Sequence, residues 1–182
     1  MRKLAAKAAA GVLTVILICA VFLTACHEVD DDRIPNMPVN IQLTPDALWH
    51  KYGVSGFGNY RRFIISLREP ADFFYTTRSA TGFGGVLLIE GADPFSGDVR
   101  PLAFDLSCPV ERKPDIRVNV INDGMEPVAR CPKCGSVYRL VEGGGTPIDG
   151  PAKKEQWGLK RYEVLDAPAG GKVIVNNYVI YR

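Results

Sequence analysis

Phe104-Asp105-Leu106-Ser107-Cys108-Pro109 and Cys131-Pro132-Lys133-Cys134-Gly135-Ser136-Val137-Tyr138-Arg139-Leu140 lie one hairpin apart in the chain. Each stretch joins a strand-like run to a cysteine followed by proline, and the second turns on Gly135 into a further strand-like run. Between them, Asn122-Asp123-Gly124 predicts a hairpin turn, because Asp-Gly readily supplies positive φ. Two cysteine loops on β structure are the only concentration of ligand chemistry in the sequence.

Working outward, the pattern stays β. Val39-Asn40-Ile41-Gln42-Leu43, Ile116-Arg117-Val118-Asn119-Val120 and Val173 to Tyr181 alternate apolar and polar residues, as half-buried strands do. Gly85-Val86-Leu87-Leu88-Ile89 and Pro101-Leu102-Ala103-Phe104-Asp105-Leu106 are more continuous and fit buried strands. One short helix is expected after Thr44, with Thr44 as cap, Pro45 at the first position, Asp46 at the positive end and Gly53 as stop. Frequent Gly and Pro turns between short strands argue for an all-β antiparallel sandwich or small barrel. Phe73, Phe74 and Tyr75 are expected to pack between sheets, and Lys153, Lys154 and Glu155 to form a solvated turn.

The N-terminal segment reads differently. Arg2, Lys3 and Lys7 precede an uncharged apolar run from Ala8 to Leu23, and Leu23-Thr24-Ala25-Cys26 ends it. Residues 1–25 are therefore expected to be a secretory signal peptide. The apolar run is short for a full membrane span. The last four residues resemble a bacterial lipobox, which implies lipidation at Cys26. Removing 25 of the 182 residues leaves 157, enough for one domain. It also takes away three basic residues and no acid, so the formal charge moves from +2 to −1 and no nucleic-acid footprint survives. Composition then predicts an unfolded acidic tether over residues 26–38 and a single β domain over 39–182. The acidic run His27-Glu28-Val29-Asp30-Asp31-Asp32 looks like a surface-export signal. The expected location is the cell envelope, lipid-anchored at the outer membrane, with a protein partner there.

The two loops resemble those of the Rieske iron-sulfur domain superfamily, which places Cys-x-His on one loop and Cys-x-x-His on a second. Phe104 to Pro109 looks like the entry to the first loop, and Cys131 to Leu140 like the second loop and its exit strand. Glu142-Gly143 through Gly150-Pro151, followed by Leu159 to Val164, is similar to the turn and last strand that close such domains. The resemblance spans about Gly85 to Leu165. It implies a Rieske-like fold, and a history of electron transfer or metal binding.

The ligand set departs from that pattern. A Rieske centre takes two thiolates on one iron and two imidazoles on the other. Cys108 and Cys131 match the thiolates, but Val110 and Cys134 stand at the histidine positions. The residues therefore favour zinc, or no metal and a disulfide, over a 2Fe-2S cluster. Zinc would use Cys108, Cys131 and Cys134, with Glu111, His50 or water as the fourth ligand. A disulfide would join Cys108 to Cys131 or Cys134, a choice set by geometry. A thiol-disulfide oxidoreductase would place its Cys-x-x-Cys at a helix N-terminus, where this chain has a turn and a strand. No catalytic residue is assigned: His50, beside Trp49 and Tyr52, reads as a helix-surface residue, and no serine sits in a nucleophile elbow. The expected role is a non-enzymatic binding or structural module of the envelope; the alternative is a 2Fe-2S electron-transfer protein.

Overall fold

The computed structural model describes residues 28–94, 96–122 and 126–176. The expected signal peptide, Cys26, the turn at Asp123-Gly124 and the chain after Asn176 lie outside the described residues. Among the described residues, eleven strands and two short helices confirm the all-β expectation. Seven antiparallel strands form a nearly closed, barrel-like sheet in the order β2 (Tyr60–Phe63), β4 (Val86–Ala92), β5 (Val99–Asp105), β10 (Arg161–Asp166), β11 (Lys172–Val175), β1 (Val39–Leu43) and β3 (Ala80–Thr81). A second sheet carries β6 (Asn119–Asn122), β7 (Pro127–Arg130), β8 (Val137–Arg139) and β9 (Thr146–Asp149) in sequence order.

The continuous apolar runs of β4 and β5 have a direct cause. Leu87, Ile89, Leu102 and Phe104 face one core, which also holds Cys108, Cys131, Tyr138 and Leu140. Val86, Leu88 and Ala103 face the other, with Val39, Ile41, Leu43 and Ile174. These two strands pair over seven residues, Val86↔Asp105 to Ala92↔Val99, and wall off both cores. Because successive side chains alternate faces, a wall buried on both sides needs apolar residues at every position. Strand β10 turns the corner, pairing Arg161 and Tyr162 with β5 and Glu163 to Asp166 with β11.

Several local expectations need correction. Helix α1 (Asp46–Tyr52) forms, but its N-cap is Pro45 and Thr44 makes no capping bond; Asp46 instead accepts a hydrogen bond from Gly171 N at 2.5 Å. Gly53 ends the helix as expected, donating to Trp49 O at 2.7 Å. The Lys153-Lys154-Glu155 segment is helical: α2 (Pro151–Glu155) begins with Pro151 in its first turn, a position where the missing N–H costs nothing. Phe73 packs edge-on against Tyr52, Phe63 and Tyr75, whereas Phe74 is 83% exposed. The alternation at Ile116 to Val118 does not belong to a sheet strand. That segment clamps the first cysteine loop, with Cys108 N donating to Ile116 O at 3.0 Å and Val118 N to Leu106 O at 2.8 Å.

The acidic stretch is not an unfolded tether from Asp30 onward. Asp30 N donates to Gln156 O at 2.9 Å, and Gly158 N donates to Asp30 O at 2.8 Å. Asp31 pairs with Arg161 at 2.9 Å, Asp32 with Lys160, and the Arg33 guanidinium lies 4.2 Å from the Trp157 ring centroid. Ile34 is 1% exposed. Read locally these acids look solvated; Lys160 and Arg161, more than a hundred residues away, make them a strap.

Asp105, at the end of β5, is fully buried and ties the fold to the first cysteine loop. Its carboxylate accepts hydrogen bonds from Phe83 N at 3.0 Å, Gly84 N at 3.0 Å, Ser107 N at 2.6 Å and Tyr162 Oη at 2.5 Å. Burial, reinforced by the Asp105 charge, pushes the Tyr162 hydroxyl well above its ordinary range, so it remains a donor. Gly84 permits this approach: a Cβ there would stand 2.5 Å from Ser107 N and 2.7 Å from Asp105 Oδ1. Asp105→Ala would strand three backbone N–H groups and a hydroxyl. At about 1–3 kcal/mol for each buried group left unsatisfied, a loss of at least about 4 kcal/mol is expected, measured by urea unfolding. Asp105→Asn should recover part of that loss, since its carbonyl oxygen still accepts.

Candidate metal centre

The first cysteine loop is a backbone construction. Ser107 N is fixed by Asp105, Ser107 Oγ donates to Lys113 O at 2.6 Å, and Arg112 N returns to Cys108 O at 2.9 Å. The backbone N–H groups of Val110 and Glu111 serve the Cys108 sulfur. Cys108 is fully buried. Burial pushes its thiol up to about 12, against the pull of those N–H groups and the Tyr138 hydroxyl.

The second loop is a tight knuckle between β7 and β8. Cys131 N donates to Ser136 O at 2.9 Å and Gly135 N to Cys131 O at 3.1 Å. Gly135 has φ +74°, a left-handed conformation that favours glycine and lets the chain turn between the cysteines and β8. Cys131 is 1% exposed, and Cys134 is half-buried at the outer side of the group. Burial alone would raise the Cys134 thiol. Hydrogen bonds from the Ser136 hydroxyl and backbone, with the two neighbouring thiols, outweigh it and hold the thiol below its ordinary value.

The fold brings the three expected cysteines together. Their Sγ atoms all lie within 4.8 Å of one another, and Cys108 Sγ is 3.6 Å from Cys134 Sγ. All three are free thiols. A tetrahedral ion with metal–sulfur bonds near 2.3 Å sets a sulfur–sulfur edge of about 3.8 Å. The spacing therefore suits one ion shared by the three sulfurs.

The candidate fourth ligand has other work. Glu111 pairs with Lys133 at 2.5 Å, joining the two loops across the site, and this pairing raises the Lys133 amine above its ordinary value. Among the described residues, the group with ligand atoms in mutual reach comprises the three sulfurs. His50 is exposed on α1 and lines a separate cleft with Trp49, Tyr60, Arg61 and Asn122. Val110 packs against the core and offers no donor.

Three neighbours complete the site without having been singled out from sequence. Tyr138 on β8 is fully buried with its hydroxyl 3.7 Å from Cys108 Sγ, and burial beside Cys108 pushes that hydroxyl far up, keeping it a donor. Ser136 Oγ lies 3.2 Å from Cys134 Sγ and accepts from Ala152 N at 3.1 Å, so α2 is fastened to the knuckle through one hydroxyl. Lys133 supplies the latch. Its opposite charge to Glu111 was visible in the sequence, but the pairing required the loops to face each other.

No family model, curated protein or solved structure matches this chain. Fold and site alone define its class: an all-β protein with a three-cysteine group able to hold a metal ion. If Glu111 is a latch and not a ligand, Glu111→Gln should leave zinc stoichiometry unchanged in a metal-content assay. Because Lys133 is largely exposed, solvent screens the pair, and the same variant should shift the chemical unfolding midpoint only slightly.

Proposed function

We propose that this protein is an envelope-anchored, non-enzymatic β module in which Cys108, Cys131 and Cys134 hold a single zinc ion, with water in the fourth position. One observation carries this reading: three sulfurs lie within 4.8 Å of one another, a spacing that one ion could bridge. A 2Fe-2S cluster asks for four ligands divided between two irons, and Val110 supplies none. Cys131 and Cys108 belong to the main core, so a bound ion would tie the two loops and the second sheet to the β4–β5 wall. Three thiolates on one ion would contribute folding energy, and zinc brings no redox chemistry of its own. Anchoring by lipid at Cys26 and ancestry in the Rieske superfamily belong to the same proposal. They rest on the signal-like N-terminus and on the order of strands and cysteine loops.

The test uses the full chain purified in detergent, with metal content, visible spectrum and free thiols measured on one sample. A colourless protein with one zinc per chain is the expected result. A red-brown protein carrying two irons overturns it. Because the Cys108 thiol is held up at about 12 and must lose its proton to bind, zinc binding should release protons and its affinity should rise with pH. Competition titrations against a chelator at several pH values measure this; a flat or falling profile contradicts thiolate ligation. The proposed ancestry has its own experiment. Val110→His with Cys134→His restores the imidazole pair, and the folded double variant should then take up iron and sulfide on reconstitution. A folded variant that stays colourless sinks the alignment.

A further inference from the structure

We infer that Cys134 is a site of oxidation by hydroperoxides and that Cys108 is its resolving thiol, closing a Cys108–Cys134 disulfide that links the two loops. The argument starts from access. Cys108 and Cys131 are 0% and 1% exposed, whereas Cys134 is half-buried, so a small oxidant meets Cys134 first. It continues with distance. Cys108 Sγ lies 3.6 Å from Cys134 Sγ across the two loops, and closing to the about 2.05 Å of a disulfide asks the sulfurs to approach by about 1.5 Å. The ordinary expectation for Cys-x-x-Cys is a bond between Cys131 and Cys134. Here Cys131 Sγ also lies within 4.8 Å of Cys134 Sγ, but the thiol at 3.6 Å comes from the other loop.

The chemistry balances with a hydroperoxide as the only added reactant. The Cys134 sulfur attacks the terminal oxygen of ROOH and the O–O bond breaks. Cys134 becomes a sulfenic acid and the departing oxygen leaves as ROH, taking a proton. The Ser136 hydroxyl, 3.2 Å from Cys134 Sγ, is placed to donate that proton and recover it from the thiol. Cys108 Sγ then attacks the Cys134 sulfur and the S–O bond breaks. The S–S bond forms, and water departs with the Cys108 proton. Two thiols lose two electrons; the hydroperoxide gains two and becomes ROH and water.

Oxidation would remove two of the three sulfurs from any bound ion, leaving Cys131 alone and expelling the metal. That expulsion rests on the zinc reading above; the thiol chemistry does not. Zinc and disulfide then become two states of one site, exchanged by oxidant.

Trypsin separates the three cysteines, since it cuts after Arg112, Arg130, Lys133 and Arg139. The full chain in detergent, reduced and stripped of metal, is treated with tert-butyl hydroperoxide and digested without reduction. The expected product joins the peptide ending at Arg112 to Cys134–Arg139, lighter by two hydrogens, with Cys131 still able to take up an alkylating reagent. Cys134→Ser should slow thiol loss at Cys108 by about ten-fold or more, because the exposed entry point is gone. Cys108→Ser should leave a dimedone-reactive sulfenic acid at Cys134. A first product joining Cys131 to either partner overturns the inference, as does a Cys108→Ser chain with no sulfenic acid. Should a variant fail to fold, the wild-type peptide map decides alone. With zinc loaded beforehand, zinc release should keep pace with disulfide formation; a disulfide without prior zinc uptake would refute the metal reading and leave this one standing.

Discussion

A single buried carboxylate organises the region on which everything chemical depends. Asp105 takes hydrogen bonds from the turn before β4, from the first cysteine loop and from Tyr162 on β10. Those three segments are far apart in sequence, and they meet where the β4–β5 and β5–β10 ladders end, with Leu106 N donating to Gly85 O and Asp105 N to Lys160 O. Burial pushes the Asp105 carboxyl above its ordinary range, and the four donors around it work against that cost, so the group fixes where the three backbones meet. Arg117 Nε extends the same network by donating to Gly84 O at 2.5 Å. The first cysteine is three residues from Asp105, and its position follows from that node.

The sulfurs are therefore part of the core as much as of a site. Cys108, Cys131 and the Tyr138 ring belong to the cluster that packs the second sheet on the β4–β5 wall. A low-dielectric setting disfavours a bare thiolate and so keeps Cys108 protonated until a cation compensates its charge. Cys134 stands at the edge, where Ser136 and water reach it, and it behaves oppositely. One cluster thus holds a thiol that resists ionisation beside one that yields to it. The Glu111–Lys133 pair closes the loops over the sulfurs without entering their contact shell.

Much of the fold was legible because its causes are local or periodic. The doubly apolar runs of β4 and β5, the alternation of β1 and the Gly53 stop of α1 all carry their reasons in adjacent residues. The three cysteines were legible as a group because no other residues in the body concentrate ligand chemistry. Elsewhere local reasoning failed where a distant partner intervened. Thr44 does not cap α1, whereas Asp46 sits in its first turn as expected and also accepts from the distant Gly171 N; Ile116 to Val118 spends its backbone on the cysteine loop and not on a strand. Phe74 faces out while its neighbours Phe73 and Tyr75 pack in, a choice of side that a non-periodic loop does not encode.

Composition and periodicity by themselves determined an all-β chain with two cysteine loops, since hydrophobic alternation and turn chemistry act over a few residues. Only the tertiary structure decided that the acids of the N-terminal strap meet Lys160 and Arg161, that Glu111 is committed to Lys133, and that Cys108 touches Cys134. The physical reason is the same in each case. Ion pairs and thiol contacts depend on distances of a few ångströms between residues far apart in the chain, and those distances are set when the β4–β5 wall and the Asp105 node draw the two sheets together.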